Sequence, residues 1–177
     1  TLFRSHIMKT IQLSHGGGGE ETNTLISELF YKHFENDILL KAEDAAILEV
    51  ERKIAFTTDS YTVTPLFFNG GDIGKIAIAG TVNDLSMMGA KPLYLSVGFM
   101  IEEGFSFDEL TTIVKSMANE LQKSGAKIVC GDTKVVPRGG VDKLFINTSG
   151  IGEVIEASIS AHNIVQDDVL LCSGDIG

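Results

Sequence analysis

Apolar positions between residues 20 and 35 recur at three- and four-residue spacing. Leu25, Ile26, Leu29, Phe30 and His33 fall on one side, so "EETNTLISELFYKHFE" predicts an amphipathic helix. Two glutamates open it, where a helix N-terminus favours negative charge. Stretches 45–51 and 53–59 read as strands; the second has Ala55 and Phe56 as core candidates and ends on Asp59. A glycine-rich turn, "NGGDIGK", leads into "IAIAGTVNDLSMMGA", which predicts a buried helix carrying Asn83 and Asp84 and stopped by Gly89. "PLYLSVGFMIE" predicts a strand, and 107–124 a helix with Leu110, Ile113, Val114, Met117 and Leu121 on one face and Gly125 at its end. Strands at 126–136 and 143–151 flank "PRGGVD", a predicted hairpin connection. From about residue 154 the pattern changes to a loop and a strand-like run, "DDVLLCSGDIG".

A chain of 177 residues with 44% apolar and 21% charged residues can bury a substantial core. Residues 1–7, ahead of Met8, are expected to be a remnant foreign to the fold. Residues 8–153 are expected to form one domain and 154–177 the opening of a truncated second. The net charge of -10 argues against nucleic acid, because phosphate contacts need clustered Lys and Arg. An acidic protein still binds polyphosphate when a divalent cation sits between carboxylate and phosphate, so the acids matter more here than the bases. Cys130 and Cys172 form no metal-binding pattern and are expected as buried free thiols, which suits a reducing cytoplasm. No apolar stretch approaches the length of a bilayer span, so no membrane partner is expected.

Neither glycine cluster is a Walker loop. "HGGGGEET", with Gly16, Gly17, Gly18 and Gly19, lacks a lysine after its glycines, and "NGGDIGKI" has Ile76 where Ser or Thr would hold magnesium. The acids are more informative. Asp44, Asp59, Asp84 and Asp132 each stand beside small or polar residues at the end of an apolar element, a set suited to magnesium and a nucleotide. Any one of them alone reads equally as a cap or turn residue. In "KIVCGDTKVV" positions two apart share a strand face, so Asp132 and Lys134 should lie together. Lys134 is a candidate general base or phosphate contact, with an ion pair to Asp132 or Asp142 as the competing role.

The ordered set "HGGGG", "DAA", "TTDSY", "PLFFNGGDIGKIAIAGTVNDLSMMGA", "EEGF" and "CGDTKVV" closely resembles the HypE family of hydrogenase maturation factors, within the aminoimidazole ribonucleotide synthetase-like (PurM-like) superfamily. The resemblance runs in one register from Ile11 to Gly177. It implies an α/β (α+β) fold: a PurM-like N-terminal domain whose mixed sheet, with flanking helices, forms a shared β-barrel in a homodimer, with ATP near the dimer interface. It implies magnesium ligands at Asp44, Asp59, Asp84 and Asp132. It implies nucleotide contacts from Gly16, Gly17, Gly18, Gly19, Asp59, Asn83, Asp84 and Thr133, and a catalytic role for Lys134. In the family, ATP activates the oxygen of a carbamoylated C-terminal cysteine, and dehydration of that thiocarboxamide gives a thiocyanate that supplies cyanide to the iron of nickel-iron hydrogenase. The carbamoyltransferase HypF delivers the carbamoyl group and the HypC–HypD complex receives the cyanide. The family's second domain and terminal Pro-Arg-Ile-Cys tail do not follow Gly177, so this chain is expected to be the ATP-binding half, without activity by itself. Cys172 is not the tail cysteine. Two other readings stand beside this one: a non-catalytic dimerisation and docking module, and a selenophosphate synthetase or thiamine monophosphate kinase of the same superfamily.

Overall fold

The structure, a computed structural model, describes residues 10–42, 45–172 and 174. The first helix, α1, begins as an α-helix at Glu20–Leu25, widens into a π-helical stretch at Ile26–Tyr31 and closes with an α turn at Lys32–Phe34. Its glycine-rich approach is stitched to it by Thr22, whose hydroxyl accepts from Gly18 N (2.9 Å) and donates to Ser14 O (3.1 Å). Strand β1 (Ile54–Tyr61) follows, then the two-residue strands β2 (Phe67–Phe68) and β3 (Gly71–Asp72), which pair with each other. Helix α2 (Ile73–Met87) starts where the Asp72 carboxylate accepts from Lys75 N (2.9 Å), filling one of the orphan donors of a helix start.

Strand β4 (Ala90–Glu102) leads through Ser106, the N-cap residue, into helix α3 (Phe107–Ser124). Leu110, Ile113, Val114, Met117 and Leu121 are buried on α3, as its periodicity predicts, and Gly125 ends it in the left-handed conformation. Strands β5 (Lys127–Val136) and β6 (Leu144–Val154) complete the fold. The sheet order is β1-β6-β4-β5, with β1–β6 and β6–β4 antiparallel and β4–β5 parallel. A parallel neighbour needs a long crossover, which α3 supplies.

This topology corrects the predicted hairpin at "PRGGVD". The connection exists, but β4 lies between β5 and β6, because β6 has two antiparallel partners and β5 has only the β4 edge left to it. The strand expected at 45–51 is also absent: those residues are irregular, and Ile47 is 83% exposed. No strand forms among the described residues after Val154, where Leu170 is 99% exposed. Cys172 is exposed and Cys130 half-buried, so the expectation of two buried thiols fails for both.

One face of the sheet is covered by helices, and the other is open. On β6 the alternation is complete: Leu144, Ile146 and Thr148 are buried against the helices, while Phe145, Asn147 and Ser149 look outward. The same parity places Ala55, Thr57, Asp59 and Tyr61 of β1 on the helix side and Ile54, Phe56, Thr58 and Ser60 on the open side. Phe56, a sequence-based core candidate, is therefore 66% exposed. Beneath the helices, Phe30 of α1 stacks on Phe99 of β4 with ring centroids 4.7 Å apart, a contact that adds about 0.5–1.5 kcal/mol to the burial of both rings.

Candidate functional site

The described sequence-predicted residues fall into two groups, one beside each edge of the sheet. On β5, Lys134 Nζ donates to Asp132 Oδ1 at 3.0 Å, so the acid and the base two residues apart do share a face. Asp132 is paired with Gly98 and Lys134 with Met100, which puts both on the open face; Thr133, paired with Phe99, points the other way, toward the helix layer.

Beside this edge lies a cavity of about 290 Å³. Its apolar lining comes from Ile26, Phe30 and Phe34 of α1, from Ile38 and Leu39 after it, and from Ile128 of β5, among others. Asn36 ties these elements together: its side-chain amide donates to Ile128 O (2.7 Å) and Phe34 O (2.9 Å), and its carbonyl oxygen accepts from Ile38 N and Leu39 N (both 3.1 Å). The lining also includes Gly16, Gly18, Lys41, Asp132, Thr133 and Lys134. Glycine is required at position 16, because a Cβ there would sit 2.6 Å from Val135 N. The π-helical stretch lies on the cavity wall, a placement common for such widened turns.

At the opposite edge, Asp59 on β1 and Asn83 and Asp84 on α2 are all exposed. The Thr57 hydroxyl donates to Asp84 Oδ2 (3.0 Å), and Ser60 N donates to Asp59 Oδ1 (2.8 Å). Behind them the Tyr61 hydroxyl meets Thr81 Oγ1 (3.3 Å), Thr81 bonds to Thr148, and Thr148 donates to Ala77 O (3.1 Å). Gly80 makes room for the ring, since a Cβ there would lie 2.3 Å from the Tyr61 oxygen. Burial pushes the Tyr61 phenol above its ordinary value, and the nearby Asp59 carboxylate pushes the same way; the hydrogen bond with Thr81 opposes them.

The two groups do not meet within one chain. Edge strands three intervals apart in a four-stranded sheet are separated by roughly 14 Å. Carboxylate oxygens suit magnesium in kind, but the described residues contain no cluster of three acids, His or Cys able to hold a metal. Among the described residues, Asp132 and the pair Asp59–Asp84 stand at opposite edges of the sheet. Asp44 lies outside the described residues. Gly16 and Gly18 reach the cavity, Gly17 and Gly19 are exposed in the same approach, and His15 only closes a turn by accepting from Gln12 N (3.0 Å). The cavity wall of Ile26, Phe30, Phe34 and Ile38 is absent from the sequence-predicted site. Its signal, the helical apolar stripe, is the same one that marks ordinary core.

Among the described residues no helix is long and apolar enough to cross a membrane. Residues 42–154 match the family model "AIR synthase related protein, N-terminal domain". The chain is 49% identical to carbamoyl dehydratase HypE of Escherichia coli (strain K12), over 96% of this chain and 53% of that protein. Among solved structures, hydrogenase maturation protein HypE in complex with ATP is similar at a TM-score of 0.82 and 54% identity, over 83% of this chain and 44% of that one. The HypE–HypF complex contains a similar chain at a TM-score of 0.58 and 58% identity, over 75% of this chain and 43% of that one. The chain spans about half the length of the curated relatives it matches. With a mixed sheet, flanking helices and a matching family model across β1 to β6, the chain belongs to the AIR synthase related family, through that family's N-terminal domain.

Proposed function

We propose that this chain is the ATP-binding half of a HypE-type carbamoyl dehydratase, acting in the cytoplasm as a homodimer. Residues 8–153 form the nucleotide-binding and dimerisation domain, and 154–177 open a second domain. The observation that carries this reading is the cavity flanked by Gly16, Gly18, Asp132, Thr133 and Lys134, in a chain 54% identical to a HypE captured with ATP.

In the proposed reaction the thiocarboxamide oxygen of a cysteine attacks the γ-phosphorus of ATP and ADP leaves. The nitrogen loses its two protons, the carbon–oxygen bond breaks, and phosphate departs with the oxygen, leaving S–C≡N. Lys134 is the proposed acceptor of a nitrogen proton. It donates to Asp132 in the structure, so that role requires the pair to open. HypF is the proposed carbamoyl donor and the HypC–HypD complex the cyanide acceptor.

The open face, with Phe56 and Ile54 exposed, is the proposed dimer surface, closing with its twin into a shared barrel. Because Asp132 and the pair Asp59–Asp84 occupy opposite edges, closure that sets the β5 edge of one chain beside the β1 edge of the other brings them together. Magnesium is then held between two chains, with Asp44, Asp59, Asp84 and Asp132 as proposed ligands, beside the nucleotide contacts of Gly16–Gly19, Asn83 and Thr133. The test is calorimetric titration of the chain with ATP, with and without magnesium, repeated on Asp84→Asn. Magnesium-dependent binding that Asp84→Asn weakens is expected; a folded dimer that takes up no ATP overturns the reading.

A further inference from the structure

Two threonines stand where the core pattern calls for apolar side chains. Thr148 follows Leu144 and Ile146 on the helix side of β6, Thr81 lies on the buried side of α2, and both are fully buried. Proton counting gives their hydrogen bonds a direction, because a hydroxyl has one proton to donate. Thr148 donates to Ala77 O, so toward Thr81 it accepts; Thr81 donates to Thr148 and accepts from the Tyr61 phenol. The chain thus runs one way, from β1 through α2 to β6 and back onto α2. Valine has the shape of threonine, and replacing both partners of a buried hydrogen bond by apolar groups of that shape can leave stability nearly unchanged. Burial alone therefore does not account for two hydroxyls here.

What they fix is the setting of α2 on the sheet. Ala77, Thr81 and, through Thr57, Asp84 are three points on the helix tied to β6 and β1. Two glycines let the surfaces close: a Cβ on Gly150 would stand 2.8 Å from Thr81 Cγ2, and one on Gly80 would collide with the Tyr61 hydroxyl. Residues three apart on a helix are neighbours on its surface, so any slide or rotation of α2 at Thr81 is carried to Asp84. Asp59 lies on β1 between Thr57 and Tyr61, the two residues that reach across to α2.

We infer that Thr81 and Thr148 are positioning residues for the magnesium-dependent step: they hold α2 at the depth and rotation that set Asp84 against the part of β1 carrying Asp59. This rests on the proposed function, in which both acids are magnesium ligands, and adds to it the buried pair that fixes one acid relative to the other. Both threonines are fully buried, so neither reaches nucleotide or metal, and their effect passes through the helix. Residues that orient metal-binding side chains typically change metal affinity by roughly ten- to a hundredfold.

The experiment is calorimetric titration with ATP over a series of magnesium concentrations, for the unmodified chain, the double variant Thr81→Val with Thr148→Val, Thr148→Val alone and Thr148→Ser. The double variant is expected to unfold in urea near the wild-type midpoint and to bind ATP without magnesium as wild type does. It is expected to need roughly ten- to a hundredfold more magnesium to reach the same ATP affinity. Thr148→Val should show a rise in the same direction, and Thr148→Ser, which keeps the hydroxyl, should need the wild-type amount. If the unmodified chain depends on magnesium and the folded valine variants depend on it equally, the threonines only fill the core; the inference is wrong and the proposed function stands. If Thr148→Ser fails as Thr148→Val does, packing and not the hydroxyl is responsible, and the inference is again wrong. If the unmodified chain binds ATP with no response to magnesium, or binds none, the proposed metal role of the acids falls and the inference with it.

Discussion

At the β1 edge of the sheet, strand and helix are locked by side chains. Tyr61, Thr81 and Thr148 form a chain of hydroxyls that runs from the half-buried phenol to the buried threonines and ends on Ala77 O, Gly80 lets the tyrosine ring lie against α2, and Thr57 holds Asp84. At the β5 edge no side chain among the described residues locks the middle of the strand to a helix. Asn36 and Gly16 fix its ends, and α1 stands far enough off to leave about 290 Å³. Fixed charge and ligand-sized space are thus built by different means at opposite edges of one sheet. On the proposed function, a second copy is what unites them, bringing the rigid acids of one chain to the open cavity of the other.

The largest expected effect tests whether the cavity depends on the core beneath it. Phe99 is buried and stacked on Phe30, so Phe99→Ala should cost about 3–5 kcal/mol of unfolding free energy in urea titrations. ATP binding should be lost with it. A folded variant that keeps ATP affinity would detach the cavity from the aromatic stack.

A smaller effect is expected from Gly80→Ala at the other edge. The added Cβ collides with the Tyr61 hydroxyl, for a net loss of about 1–3 kcal/mol despite the better helix propensity of alanine. The magnesium-dependent part of ATP affinity should fall while ATP binding without magnesium stays, because α2 shifts against β1 and takes Asp84 with it. Equal losses of both would mean that the edges are not independent.

These edges were unequally legible in the sequence. Asp59, Asp84, Asp132 and Lys134 stand out as charges interrupting apolar runs, and strand parity alone put Asp132 beside Lys134. The helices over 73–87 and 107–124 were readable because both period and stop signals agree, with glycine after each. The cavity was not readable: Phe30 and Phe34 obey helical spacing whether they meet core or empty space, and a π-helical turn has no composition of its own. Phe56 was misread because an apolar residue in a strand marks a packed face without saying what packs on it. The hairpin at "PRGGVD" failed for a topological reason, since strand order depends on which edges remain free after long-range pairing.

Tyr61 gives a still smaller effect with a pH signature. Its pKa lies above the ordinary 10.0, so the folded state holds the phenolic proton more tightly than the unfolded chain does. The resulting stability is present below pH 10.0 and is lost as pH rises through the folded value. Tyr61→Phe forfeits the bond to Thr81, about 1 kcal/mol, but carries none of this dependence. The stability gap between wild type and variant should therefore hold below pH 10.0 and narrow as the pH rises above it in chemical denaturation. A constant gap would mean that the phenol is solvated and that the hydroxyl chain does not bury it.

The least change in stability is expected where the functional change is large. The Asp132–Lys134 pair is exposed on both sides, and pairs of that kind contribute about 0–1 kcal/mol because water and salt screen them. Asp132→Asn should therefore unfold within about 1 kcal/mol of wild type. On the two-chain reading it should nevertheless lose magnesium-dependent ATP binding as Asp84→Asn does, although the residues lie on opposite edges. Mixing the two variants should restore one intact site in each heterodimer, since each chain supplies what the other lacks. Binding that stays absent in the mixture would place both acids in a site built from one chain, which the roughly 14 Å between edge strands makes difficult without rearranging the sheet.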